Sequence, residues 1–129
     1  MTNQNKKIVA VVSDLIFSVK IQETAKRAGA SVLFAKTAEQ ALDEAKQGPA
    51  AIILDLNNGS VDALDLITKL KSDSRTTGVD LLGYVSHVQT DLKLAAQERG
   101  CDVVMARSAF SQNLPAILRR YVQSGAAAD

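Results

Sequence analysis

Five short apolar runs alternate with five helix-like segments along this chain, and that alternation constrains the fold more than any other feature. The runs are Ile8 to Val12, Ser31 to Phe34, Ala50 to Leu54, Leu81 to Val85 and Asp102 to Met105. Most are continuous in Val, Ile and Leu instead of alternating with polar residues, the mark of strands covered on both faces. Strands separated by helices pair in parallel, and right-handed crossovers put helices on both sides of the sheet. The expectation is a doubly wound α/β domain, a (βα)5 parallel sheet of flavodoxin-like order 2-1-3-4-5 between two helix layers.

Each segment between the runs carries one apolar stripe. The second has Ala38, Ala41, Leu42 and Ala45, the i, i+3, i+4, i+7 spacing of an amphipathic helix. Its start, Thr37-Ala38-Glu39-Gln40, fits a capping box, and Gly48-Pro49 ends it. The third repeats the spacing with Ala63, Leu66, Ile67 and Leu70, and the fifth with Leu114, Ile117, Leu118 and Tyr121. The first is looser, with Phe17, Ile21, Ala25 and Ala28 before Gly29, and the fourth, around Leu92, Ala95 and Ala96, stops at Gly100. Pro115 is expected in the first turn of the fifth helix, where it removes a donor. Gly83 within the fourth strand marks a close backbone approach or a weak point. Residues 1–123 make the expected domain, and residues 124–129 an expected frayed tail.

Composition excludes several classes. A chain of 129 residues with 47% apolar and 22% charged residues suits one soluble globular domain. The formal net charge is +1, with Lys and Arg spread along the chain, which argues against a nucleic-acid stripe or a membrane-surface face. No apolar run reaches spanning length, and residues 1–7 lead into the first strand without a signal-peptide core. Cys101 is the only cysteine, so neither a disulfide framework nor a thiolate metal cluster is available. A cytoplasmic location is expected.

Function is sought where the strands end. Asp55 closes the apolar run Ala50-Ala51-Ile52-Ile53-Leu54, and a carboxylate at the end of a buried strand is costly unless something uses or neutralises it. In the expected strand order Asp14 and Asp55 face each other across the switch-point crevice, where ligands collect in open parallel sheets. Two such carboxylates and a backbone carbonyl from the following turn suit Mg²⁺, which keeps several waters. Ser86 and Arg107, after the fourth and fifth strands, flank the crevice, and a hydroxyl and a cation there suit phosphoryl oxygens. The bland readings stand beside these: Asp14 as a helix N-cap, Asp55 as a turn carboxylate paired with a cation, Ser86 as a polar strand end. His87 is the only histidine and reads as a loop residue that titrates near neutrality. Cys101 reads as a small hydrophobe, and Lys69, Lys71 and Arg75 as a solvated face.

Taken in order, these residues resemble the receiver domain of two-component response regulators. The resemblance covers essentially the whole chain: Asp14, then Asp55 with Asn57, Asp62 and Leu64, then Ser86, Gly100 and Arg107. It implies a phosphorelay signalling module, a phosphoprotein and not an enzyme, in which Asp55 accepts a phosphoryl group from a histidine kinase or phosphotransfer protein. It further implies that Asp14, Asp55 and the Asn57 carbonyl bind Mg²⁺ and that Ser86 is the switch hydroxyl. Output would pass to a downstream protein through the face of the fourth helix, fifth strand and fifth helix, with no nucleic acid or membrane involved.

The departures from the family pattern are specific. Ser13 stands where a second acid is usual, so Mg²⁺ binding is expected to be weak or absent. Arg107-Ser108 replaces the usual Lys and following Pro, and Arg is not equivalent to Lys at a phosphate site. Asn58-Gly59 replaces Met-Pro, and Val104 replaces the aromatic switch residue. Arg107 is expected to pair with the Asp55 carboxylate at rest. These departures support a second reading, a pseudo-receiver that binds partners with no phosphoryl transfer or Mg²⁺-dependent switching. A small enzyme or nucleotide-binding domain is a third. It lacks a Gly-rich phosphate loop, a nucleophile elbow and a catalytic His dyad.

Overall fold

The computed structural model describes residues 7–86 and 89–127, with side chains through residue 122. Five strands, β1 (Lys7–Val11), β2 (Ser31–Phe34), β3 (Ala51–Asp55), β4 (Asp80–Val85) and β5 (Val103–Ala106), alternate with five helices. The helices are α1 (Leu15–Ala28), α2 (Ala38–Ala45), α3 (Ala63–Ser72), α4 (Thr90–Glu98) and α5 (Arg107–Ala127). All strand pairs are parallel, in the order β2-β1-β3-β4-β5, so the expected doubly wound sheet is the observed one.

Alternate residues of each strand feed two cores. Val9, Val11, Ile52, Leu54, Leu81 and Val85 meet α2, α3 and α4 on one face. Ile8, Ala10, Ile53, Leu82 and Tyr84 meet Phe17 and Ile21 of α1 and Phe110, Leu114 and Leu118 of α5 on the other. Every residue of β3 is buried, as a continuous apolar run requires. The outer strands β2 and β5 are only partly buried, because an edge strand has a neighbour on one side alone.

Local signals explain most helix ends. Asp14 caps α1, and Gly29 closes it in the left-handed region at φ 84°, where glycine carries no Cβ penalty. The Thr37 hydroxyl accepts from the Gln40 amide at 3.0 Å, while the Gln40 side chain reaches back to the Lys36 amide at 2.9 Å, one residue earlier than in a strict capping box.

Two expectations change. Pro115 lies well inside α5, because β5 runs into the helix with no intervening loop and α5 starts at Arg107. The carbonyl one turn back, on Ser111, therefore has no proline N–H to accept from. The same helix continues to Ala127, while Ala128 and Asp129 lie outside the described residues. The basic cluster is paired as well as solvated: Lys69 meets Asp65 at 3.0 Å, Arg75 meets Asp73 at 2.8 Å, and Lys71 meets Asp102 at 2.9 Å. Gly83, by contrast, is a place of close approach, as its position in the strand suggested. A Cβ built there would lie 3.1 Å from Leu56 Cδ1 and 3.2 Å from Cys101 Sγ.

Candidate functional site

Asp55 is the last residue of β3, level with Tyr84 of β4, and its residue is only 8% exposed. The chain turns at once: the Leu56 amide donates to the Tyr84 carbonyl at 3.0 Å, and the Asn57 amide donates to Asp55 Oδ1 at 2.9 Å. Burial raises the Asp55 carboxyl above its ordinary range, a shift opposed by the Asn57 amide and by the nearby Arg107 charge and reinforced by Asp14.

Asp14 reaches the same end of the sheet from β1, whose Val11 lies opposite Leu54. Both of its oxygens are engaged. Oδ1 accepts from the Phe17 amide at 3.1 Å as the N-cap of α1, and Oδ2 accepts from the Arg107 guanidinium. The Phe17 amide and Arg107 together hold the Asp14 carboxyl below the usual carboxylate range. The expectation that Arg107 pairs with Asp55 is therefore corrected: its ion pair is with Asp14. As the first residue of α5, Arg107 leaves the sheet beside the start of α1, where the half-buried cap carboxylate is nearer to hand than the buried Asp55.

Beneath the guanidinium lies an aromatic cluster. Arg107 sits 5.0 Å above the Phe17 ring centroid. Phe17 meets Tyr84 edge-on at 4.9 Å, and Tyr84 stacks on Phe110 at 5.2 Å. The Tyr84 hydroxyl is buried and has no hydrogen-bond partner among the described residues, and burial raises its pKa.

Asn57, expected to offer a carbonyl to a metal, uses its side chain to join two loops. Its Oδ1 accepts from the Ser86 amide at 3.1 Å, and its Nδ2 donates to Gln89 Oε1. Asn58 secures the same turn, accepting from the Ser60 and Val61 amides at 2.8 and 3.1 Å and donating to the Val11 carbonyl at 3.4 Å. Ser86 is exposed and lines an open groove of about 680 Å³ with Ile16, Phe17, Lys20, Arg107, Ser108 and Ser111. Ser13 is exposed. Val104 is partly buried against the core beneath α4, so no aromatic ring stands at that position of β5. His87 lies outside the described residues.

The sequence thus placed Asp14, Asp55, Ser86 and Arg107 at one end of the sheet, and the structure brings them there. It missed the bracing roles of Asn58 and Gln89 and the Phe17–Tyr84–Phe110 cluster. The Asn57-Asn58 pair directly after a strand was a readable signal for the turn, since asparagine side chains bond their own backbone.

A divalent cation fits this arrangement poorly. Asp14 is already paired with Arg107, and Ser13 brings no second acid beside it.

Solved structures share this architecture. A putative response regulator from Chloroflexus aurantiacus superposes with a TM-score of 0.78 at 20% identity, over 92% of this chain and 98% of that one. A response regulator from Hahella chejuensis gives 0.78 at 16% identity, over 90% and 94%. The fold is the receiver fold. The receiver domain of a sensor histidine kinase from Pseudomonas aeruginosa, which has a magnesium ion coordinated in its active-site cleft, gives 0.77 at 16% identity, over 92% and 98%. No protein-family model and no curated protein sequence matches this chain. Among the described residues no helix is long and apolar enough to cross a membrane.

Proposed function

We propose that this chain is a divergent two-component receiver in which Asp55 accepts a phosphoryl group and the signal passes by protein contact. The observation that carries the reading is the setting of Asp55: a buried carboxylate closing the central strand, one oxygen held by the Asn57 amide, with the Asp14–Arg107 pair and Ser86 around it. In the transfer, an Asp55 oxygen attacks phosphorus, the bond from phosphorus to the donor's histidine nitrogen breaks, and that nitrogen takes up a proton. The new phosphoryl charge draws on Arg107 and the Ser86 hydroxyl, the groups at hand that complement it. The chain serves as acceptor and not as enzyme, and the reading carries a cytoplasmic location with it.

Exposed apolar side chains support signalling by contact. Leu15, Ile16 and Val19 stand on α1 beside the groove, and Leu94 stands on α4. The first group suits the approach of a histidine kinase or phosphotransfer protein. The second belongs to the face of α4, β5 and α5 that would meet a downstream protein.

The pseudo-receiver reading has its own support in the engagement of both Asp14 oxygens and the missing acid at Ser13. Incubation with acetyl phosphate or phosphoramidate, followed by intact mass, separates the two. The receiver reading expects a gain of one phosphoryl group in the wild type and none in Asp55→Asn. An unchanged wild-type mass leaves the pseudo-receiver.

A further inference from the structure

The acidic end of the sheet contains a cation, Arg107, and its placement bears on which ions the cleft can accept. We infer that Arg107 stands in for a divalent metal, so that the cleft engages phosphoryl oxygens without Mg²⁺. This rests on the receiver reading above for its phosphoryl group, but the claim about Mg²⁺ stands or falls separately.

Mg²⁺ is usually bound through one or two carboxylates, retaining waters in near-octahedral geometry. Here a metal at Asp14 would have to share oxygens that already accept from the Phe17 amide and from Arg107. Ser13 brings no charge to replace it. Arginine does not deprotonate in proteins, so a metal entering beside Asp14 meets a permanent positive charge. Arg107 follows β5 without a loop, and its guanidinium rests 5.0 Å over the Phe17 ring, which is itself wedged against Tyr84.

The position of Arg107 also explains why it needs Asp14. A cation in the first turn of a helix opposes the helix dipole, and α5 has no acidic residue of its own there. The carboxylate of Asp14 supplies the missing negative charge from the neighbouring helix start. A guanidinium offers five N–H donors in a planar fork, which matches phosphoryl oxygens in pairs. It can therefore neutralise an oxyanion on Asp55 as a metal would, with no ion to recruit.

Two measurements test this. Amide resonances of Ser13, Asp14, Asp55 and Asn57 are followed as MgCl₂ is added at constant ionic strength. The wild type should show no saturable change, whereas Arg107→Ala should gain a saturable one. Should Arg107→Ala lose its fold by circular dichroism, Arg107→Gln keeps a side chain of similar reach for the same titration. Saturable Mg²⁺ binding by the wild type, or none by the folded variant, overturns the inference. In parallel, acetyl phosphate labelling is read by mass in EDTA and in Mg²⁺. Equal wild-type yields support the inference, and a wild-type adduct only with Mg²⁺ overturns it. If no adduct forms in either, the receiver reading fails, and the titration alone decides whether Arg107 excludes the metal.

Discussion

Alanine at Gly83 probes how closely the core beneath α4 is fitted to the turn that presents Asp55. The new Cβ would lie 3.1 and 3.3 Å from the two Leu56 methyls and 3.2 Å from Cys101 Sγ, inside ordinary van der Waals separation. Gly83 is in regular strand, not among the glycines with positive φ, so the backbone accepts alanine and the cost is steric. Overpacking of this kind costs about 1–3 kcal/mol, while the lower entropy of the unfolded alanine chain offsets about 0.4–1 kcal/mol. A net loss of about 1–2 kcal/mol is expected, roughly 4 °C in Tm per kcal/mol at this chain length. Urea denaturation should show a lower midpoint with an unchanged slope.

Leu56 connects this perturbation to the site, because its amide anchors the turn on the Tyr84 carbonyl and its side chain takes the push. Shortening it in Leu56→Val removes the outer methyl groups that clash. The double variant should therefore be more stable than the sum of the single losses by about 0.5–1 kcal/mol. A neutral or stabilising Gly83→Ala, or strict additivity with Leu56→Val, would refute the packing account.

Three further outcomes are expected. Tyr84→Phe removes a buried hydroxyl that has no partner among the described residues while keeping the ring contacts, and should raise stability by about 1 kcal/mol; a loss of similar size in urea denaturation contradicts this. Burial raises the Asp55 pKa, so its stabilising contribution is fully present below the unfolded carboxylate pKa and is lost as pH rises through the folded one. The stability of wild type relative to Asp55→Asn should accordingly fall from acid toward neutral pH, and a rise would reverse the assignment. Burial pushes the Cys101 thiol up to about 11, so a thiol reagent at neutral pH should react far more slowly with the native chain than with the chain in urea; equal rates would place the thiol at the surface.

The alternation of apolar runs and amphipathic stripes was sufficient for a parallel sheet with helices on both faces, because continuous Val, Ile and Leu runs must be covered on both faces and parallel strands need crossover helices; the order 2-1-3-4-5 is one of the doubly wound orders that pattern allows. The same local logic put Asp14, Asp55, Ser86 and Arg107 at one end of the sheet, since residues just after parallel strands all emerge there. Boundaries were less legible where two elements join without a loop. Nothing in Met105-Ala106-Arg107-Ser108 marks the end of β5, and that junction moved Pro115 from the start of α5 into its interior.

The partner of Arg107 was not in the sequence at all. Asp14 and Asp55 are both carboxylates after strands, equally plausible by type and spacing, and the choice rests on where the first residue of α5 leaves the sheet. It leaves beside the half-buried cap of α1, while Asp55 stays buried against β4. Sequence by itself determined that acids, a hydroxyl and a cation gather at one end of a five-stranded sheet, because period and apolar content are local properties of the chain. Only the tertiary structure decided which charge neutralises which, because Coulomb energy depends on distances between side chains that lie far apart in sequence.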